Sequence, residues 1–333
     1  MNSLAQGDSL HRLNCNEVRP SRPTPSLLDD VRDGLLAQPR TLPPKYFYDD
    51  HGSRLFDAIC DVDEYYPTRT EDALLEDYAQ EIIATLHPKH VIELGSGAAR
   101  KTRHLFDACE KHQCHSTYWP FDVCESIVRD SSEGLIEKYK WLNINGLVGD
   151  YHAGFDHFPN VDGTSLYVFL GGTIGNFEHD SAIAFLSELR ETMQADDRLL
   201  IGADRVKDTS VLNAAYNDSN GITAEFNLNV LRVLNRELGT NFNISGFEHK
   251  AYFNKQDSQI EMHLVSNCQQ TIKIDKLDQK ITLGSGESIR TEISRKFTPD
   301  SLTGLLKEAG FALQQHFQPE NGYFSLMLAG PEG

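Results

Sequence analysis

The chain has 333 residues, 39% of them hydrophobic, enough to bury the core of one large domain or two modest ones. Its net charge of −18, from 31 Lys and Arg against 49 Asp and Glu, argues against a nucleic-acid partner, because such binding rests on basic side chains that neutralise phosphates. No apolar run approaches the roughly 18 residues of a membrane span, and six cysteines without a CxxC repeat, after a start with no secretion signal, predict a reduced, cytoplasmic protein.

Residues 1–25 are polar, with three prolines late on, and predict a loosely held arm. Ser26 to Ala37 predicts a helix: Ser26 suits the N-cap, and Leu27, Leu28, Val31, Leu35 and Leu36 recur at helical spacing. Pro39 to Pro44 breaks it. The aromatic segment Lys45-Tyr-Phe-Tyr48 precedes a short helix at 53–60. Glu64-Tyr65-Tyr66-Pro67-Thr-Arg-Thr70 follows, with Thr70 expected to cap a long helix to about Leu86.

His90-Val-Ile-Glu-Leu-Gly-Ser-Gly97 reads as a buried strand running into a glycine turn, with Ala98 to Cys109 as the next helix. Further strands are predicted at 117–122, 144–148, 165–170 and 197–203, and helices near 99–111, 125–139 and 180–194. This alternation predicts a mainly parallel sheet covered on both faces, with its strand ends on one edge. Between about 205 and 296 a helical stretch, Asp208–Leu238, leads into short alternating segments at Lys250–Phe253, Gln259–Val265 and Ser288–Phe297, an insertion or small α+β lid. A helix at Pro299–Ala309, capped near Thr298, and a hairpin of Ala312–Pro319 with Tyr323–Ala329 close the chain.

Gly95-Ser96-Gly97 lets backbone N–H groups approach a ligand closely, although a tight βα turn alone would account for it. Arg100 stands where a P-loop or a dinucleotide fingerprint needs glycine, so both phosphate readings weaken and S-adenosylmethionine (SAM), which has no phosphate, gains. Asp122 and Asp150 end the next two strands. The first suits ribose hydroxyls or the cap of the following helix; the second, with Tyr151, suits adenine. Lys101 is placed to meet a carboxylate or to lie exposed on its helix. Gly171-Gly172-Thr-Ile-Gly-Asn176 brings glycines to a strand end, where Asn176 offers both a donor and an acceptor. On a strand, Glu292 and Ser294 share one face, solvated or aimed into a pocket. Cys109, His112, Cys114 and His115 match no usual structural zinc spacing, so no metal is expected.

With these residues laid out, the chain from about Leu27 onward resembles the L-histidine Nα-methyltransferases of ergothioneine biosynthesis. The likeness rests on Leu42-Pro-Pro-Lys-Tyr-Phe-Tyr-Asp, Glu64-Tyr-Tyr-Pro-Thr-Arg-Thr-Glu, Glu93-Leu-Gly-Ser-Gly and Gly172-Thr-Ile-Gly-Asn. Further on it includes Phe226-Asn-Leu-Asn-Val-Leu, Asn235-Arg-Glu-Leu, Phe247-Glu-His, Ile260-Glu-Met and Thr291-Glu-Ile-Ser. The resemblance implies an α/β, Rossmann-like class I methyltransferase domain with a smaller α+β substrate-binding domain. The expected division is 1–69 as arm and part of the substrate domain, 70–204 as the SAM domain, 205–296 as the substrate-binding insertion and 297–333 as completion of the main sheet. It also implies three methyl transfers to the α-amine of L-histidine, with its mono- and dimethyl forms as intermediates. The sequence does not give the oligomeric state, and a monomer is the default expectation.

Carried over by motif, SAM is expected at Gly95, Lys101, Asp122, Asp150 and Tyr151, with Gly171 nearby. The histidine carboxylate and amine are expected at Asn176 and Tyr216, with Tyr48 close to the amine, where it would order a proton-accepting water. The imidazole is expected against Tyr65, Met262, Glu292 and Ser294. Tyr151 stands where the family carries phenylalanine, and Gly172 where it carries serine. The competing readings are an N-methyltransferase of another aromatic amino acid, a nicotinamide-dependent oxidoreductase and a catalytically silent SAM-binding protein.

Overall fold

The computed structural model describes residues 12–158 and 160–332. Eight strands form one sheet in the order β1 (Leu13–Glu17), β5 (Asn143–Val148), β4 (Thr117–Asp122), β3 (His90–Leu94), β6 (Ser165–Phe169), β7 (Arg198–Asp204), β14 (Phe324–Pro331), β13 (Phe311–Phe317). Neighbours are parallel except at β14, which is antiparallel to both β7 and β13. The inner strands are apolar throughout because both their faces are covered. Val91, Leu166 and Val168 face α3 (Tyr66–Leu86), α4 (Arg103–Lys111) and α5 (Glu125–Lys138), whereas Ile92, Tyr167 and Phe169 face α6 (His179–Glu191) and α9 (Pro299–Glu308). This is a doubly wound, Rossmann-like sheet, with the closing hairpin wedged antiparallel at one edge.

A second sheet has four strands in the order β2 (Arg40–Thr41), β12 (Ser288–Arg295), β9 (Gln259–Ser266), β8 (Phe247–Asn254). Its core joins α1 (Leu27–Leu35) and α2 (Asp50–Cys60) to α7 (Thr209–Ala215) and α8 (Ile222–Leu238), through Val31, Phe47, Ile59, Leu212, Leu231, Ile260 and Met262. Asparagines on α8 stitch these distant segments together. Asn229 Nδ2 donates to Asp49 (2.8 Å), and Asn227 accepts from Thr291 (2.6 Å). A hairpin of β10 (Gln270–Ile274) and β11 (Gln279–Leu283), absent from the sequence reading, completes this unit.

Four expectations give way. Leu13–Glu17 is an edge strand rather than part of a loose arm: the Arg12 guanidinium donates to the carbonyls of Ile136, Tyr139, Lys140 and Leu142, pinning β1 beside β5. The part of the predicted arm at 1–11 lies outside the described residues. Thr70 does not cap α3, which starts a turn earlier with Pro67 in its first turn; the Thr70 hydroxyl donates to Tyr66 O instead (2.9 Å). The helix after the glycine turn begins at Arg103, because Ala99 takes φ 49° and Thr102 Oγ1 is tied to the buried Glu93 carboxylate (2.6 and 2.7 Å). Lys101 therefore sits in a turn, not in a helix. Finally, 208–238 is two helices, broken where Asp218 accepts from the N–H groups of Ile222 (2.9 Å) and Thr223 (2.7 Å).

Candidate active site

β3 and β6 lie side by side, but their onward connections leave for opposite faces, which opens a crevice at the carboxyl edge of the sheet. On its β3 side the chain turns at Gly95 (φ 68°) and Gly97 (φ 47°). Gly95 N–H donates to Phe121 O (2.8 Å) and Gly97 N–H to Asp122 Oδ2 (3.0 Å), while Asp122 Oδ1 accepts from Cys124 N–H (3.1 Å). Asp122 thus ties the glycine turn to β4 and also serves the start of α5. A Cβ on Gly97 would meet nothing within 4 Å, and one on Gly95 only the Tyr151 ring at 3.8 Å. The turn is open toward the crevice, and this open edge with carboxylates at the next two strand ends fits a nucleoside-bearing ligand. Asp150 accepts from His152 N–H (2.9 Å) and faces His152 Nδ1 (2.9 Å). Burial alone would raise its carboxyl, but these contacts hold it below the ordinary range. The Tyr151 ring packs among Phe121, Phe169 and Phe185, with centroids 5.6–6.2 Å away.

Glu71, on α3, spans the crevice. Its fully buried carboxylate pairs with Lys101 and accepts from Gly171 N–H (2.8 and 3.0 Å), so it joins the turn after β3 to the turn after β6. Gly202 makes room, since a Cβ there would lie 1.8 Å from Glu71 Oε1. Glu71 was not singled out in the sequence, although it closes the Tyr-Tyr-Pro-Thr-Arg-Thr-Glu motif. In that motif Arg69 donates to the carbonyls of Val62 and Asp63 (2.7 and 2.6 Å), and Tyr66 donates to Asp204 (2.7 Å).

The other end of the cleft is built from side chains. Tyr48 is 42% exposed as a residue, but its hydroxyl end is enclosed; the ring packs edge-on against Phe56 and Phe226, and Glu292, Tyr151, Cys60 and Tyr216 are the ionisable groups that act on the phenol. Tyr48 therefore stands between the two ends. Tyr65 is buried beside Phe56 and Tyr216. Burial raises the phenols of Tyr48, Tyr65 and Tyr216 above their ordinary value, and nearby Glu292 adds to each rise; Lys296 opposes it only at Tyr216. Glu292 lies directly across from the buried Met262 in the β12–β9 register, just after a bulge at Thr291 that re-aims it. Among the described residues its carboxyl has no hydrogen-bond partner. Burial pushes it up to about 7, with Lys296 pulling the other way. Asn176 ends a 3₁₀ turn (Thr173–Asn176) that packs on β12 so closely that a Cβ on Gly175 would lie 2.8 Å from Arg295 O. Asn176 and Glu292 both line a cavity of about 310 Å³, with Asp30, Thr41 and Arg290.

Beneath this end lies a buried polar network that the sequence did not disclose. Lys296 Nζ contacts Asp204 Oδ2 (2.9 Å), Tyr216 Oη (3.0 Å) and Ser294 Oγ (2.9 Å), and the Tyr216 hydroxyl donates to Ser294 Oγ (2.8 Å). Burial alone would depress the Lys296 ammonium, but Asp204 and Tyr216 more than reverse this, so it stays charged. Lys207, also paired with Asp204, is driven by burial down to about 8. The structure thus gathers Tyr48, Tyr65, Tyr216, Met262, Glu292 and Ser294 at one end and Gly95, Asp122, Asp150 and Tyr151 at the other. Lys101 and Gly171 meet through Glu71.

Among known proteins, the sequence model of a family described as histidine-specific, SAM-dependent methyltransferase matches residues 27–331. The chain is 42% identical to the histidine N-alpha-methyltransferase of Mycolicibacterium smegmatis over 304 residues, covering 91% of this chain and 94% of that one. It is 39% identical to the protein of the same name from Mycobacterium tuberculosis, with the same coverage. It is also 35% identical to ergothioneine biosynthesis protein 1 of Neurospora crassa, over 62% of this chain and 24% of the longer relative. No helix among the described residues is long and apolar enough to cross a membrane.

Proposed function

The chain belongs to the family of SAM-dependent, histidine-specific methyltransferases, and from that premise we propose that it transfers three methyl groups in succession to the α-amine of L-histidine, the first step of ergothioneine biosynthesis. The observation that carries the substrate reading is the pair Glu292 and Ser294. On the same strand face, two residues apart, stand an acid with no hydrogen-bond partner among the described residues and a hydroxyl whose oxygen accepts from Tyr216 and Lys296. An acceptor and a donor side by side complement a neutral imidazole, which carries one N–H and one bare nitrogen. Met262 and Tyr65 supply apolar walls to the ring.

SAM supplies a sulfonium methyl that is already activated, so the protein's task is orientation and a neutral amine. The Gly95 turn and Tyr151 would hold the nucleoside, Asp122 the ribose hydroxyls and Asp150 the adenine amine, with Lys101 and Gly171 toward the methionine end. Asn176 can donate to the substrate carboxylate. Tyr216 has given its proton to Ser294, so what it offers is a lone pair, suited to the amine. The raised phenols of Tyr48, Tyr65 and Tyr216 stay protonated at neutral pH and cannot serve as bases. A free α-amine titrates near ~8, so water suffices as proton acceptor, and Tyr48 orders it. Holding the amine in line with the methyl is worth several kcal/mol.

Incubation with SAM and a mixture of the twenty amino acids, read by mass spectrometry, tests this. One, two and three added methyl groups on histidine alone are expected. Methylation of a different amino acid, or of none, overturns the reading.

A further inference from the structure

Three motifs read in the sequence, Phe226-Asn-Leu-Asn, Phe247-Glu-His and Thr291-Glu-Ile-Ser, meet at one point under the substrate end of the cleft. Asn227 on α8 and Thr291 at the bulge of β12 are buried there, and His249 comes from β8. The Thr291 hydroxyl reaches Asn227 Oδ1 (2.6 Å) and, at longer range, Met262 O (3.1 Å). Asn227 Nδ2 reaches His249 Nδ1 (2.9 Å) and His263 O (3.1 Å), and His249 Nε2 reaches Tyr216 O (2.8 Å).

Two backbone carbonyls decide which atoms donate. A carbonyl only accepts, so Asn227 must turn its nitrogen to His263 O, and the His249 ring must carry its proton on Nε2, toward Tyr216 O. Nδ1 is then bare and takes the second N–H of Asn227, which leaves Oδ1 for the proton of Thr291. The reverse order would set the amide oxygen against His263 O and would need a charged ring. Burial holds the His249 imidazole below its ordinary value, against the Tyr216 carbonyl, Asp218 and Glu248, so the ring is neutral.

These bonds hold a strand that has lost its alternation. Ile289 pairs with Leu264 and Ser294 with Ile260, so five steps along β12 match four along β9. The additional residue is taken up between Arg290 and Glu292, where Thr291 has no partner in the ladder. Without that bulge every later residue would shift by one and turn to the other face of the sheet, Glu292 among them. We propose that Asn227, oriented by His249, is a positioning residue that clamps the Thr291 bulge and so aims the Glu292 carboxyl at the substrate ring. This rests on the reading of Glu292 as the acid that meets the ring.

The variant Thr291→Val keeps the shape of the side chain and deletes its hydroxyl. The KM for L-histidine should rise about fivefold to thirtyfold, with the Kd for SAM by calorimetry within about twofold. Thr291→Ser, which keeps the hydroxyl, should recover most of that loss. A merely structural role would weaken histidine whether or not Glu292 is present, so the deciding measurement repeats the substitution in Glu292→Ala. There Thr291→Val should change KM by less than about twofold, because the acid that the clamp aims is gone. If Thr291→Val does not fold, His249→Gln runs the same cycle: its amide N–H can still reach Tyr216 O, but Asn227 loses its acceptor at Nδ1. An equal rise of KM in both backgrounds, an unaltered KM in the wild-type background, no recovery in Thr291→Ser, or equal weakening of SAM overturns the proposal. A wild type that leaves histidine unmethylated removes the reading of the site itself, whereas histidine methylation with an unaltered Thr291→Val removes this inference alone.

Discussion

At the Gly95 end of the cleft the chain works mainly with backbone; at the Glu292 end it works with side chains collected from distant segments. Asp122 is held by the N–H groups of Gly97 and Cys124, and Asp150 by that of His152, all within one strand end or its neighbour. Asp204, Lys207, Lys296, Tyr66 and Tyr216 are held by one another, across the end of β7 and the loop after it, the start of α3, and the residues just past α7 and β12. The first end needs only local geometry and keeps its carboxylates near water, which suits a ligand common to many enzymes. The second is desolvated, so an unmatched donor or acceptor there is expensive, and that expense is what separates one amino-acid side chain from another.

The sharpest way to break this contrast is to unbalance each end in turn. Asp204→Ala leaves Lys207 and Lys296, 5% and 1% exposed, without their shared counter-charge. A loss of about 3–5 kcal/mol of stability is expected. Asp122→Ala should weaken SAM binding while costing about 1 kcal/mol. Denaturant titrations of the two variants decide it: equal midpoints would mean that the ends are not built differently. Next in size is Glu292→Ala, which should weaken histidine binding about tenfold to a hundredfold and leave SAM within about twofold in calorimetry. Equal weakening of both ligands would take Glu292 out of the substrate site.

The same contrast explains what the sequence disclosed. His90–Leu94 and Ser165–Phe169 are apolar runs followed by glycine, and a strand covered on both faces has no other way to be written. The N-caps at Ser26 and Thr298 are local chemistry and were legible for that reason, and the structure completes each as a capping box. Pairing of the two-residue β2 with β12, some 250 positions later, leaves no periodic trace. Neither does the bulge at Thr291 that re-aims Glu292. Lys296 looked like any lysine near a strand end, because its burial depends on Asp204 and Tyr216, and no local pattern carries that. Glu71 was hidden the other way: it stands in a conspicuous motif, but its partners Lys101 and Gly171 lie 30 and 100 residues downstream.

A pH series should show the two ends titrating with opposite sign. Glu292 is raised to about 7 from an ordinary 4.5, so between those values the folded chain binds more protons than the unfolded one. Its cost to folding is absent below pH 4.5, grows through that window and is complete above 7. Glu292→Gln should therefore be more stable than the wild type above pH 7, by about 1–3 kcal/mol, and should match it in acid. Asp150 is depressed below 3.8, so it contributes stability above that value and loses it as the pH falls further. Asp150→Asn should accordingly be the less stable protein at neutral pH. Thermal melts of both variants across pH 4–8 check the signs, and a shared sign would erase the distinction between the ends.

The smallest expected effect belongs to Tyr48, whose phenol feels both Glu292 and Tyr151. Burial first, and then the carboxyl of Glu292, keep its phenol protonated, so removal of the hydroxyl deletes a hydrogen bond to water or amine and not a base. Tyr48→Phe should lower kcat about two- to tenfold, at a nearly unchanged KM for histidine. The rise of kcat with pH near ~8 should persist, because the titrating group is the substrate's own amine. An unchanged rate would take Tyr48 out of the reaction. Loss of the pH-dependent rise would make the phenol the base after all, and the cleft would then join its two ends through a proton transfer rather than through shape alone.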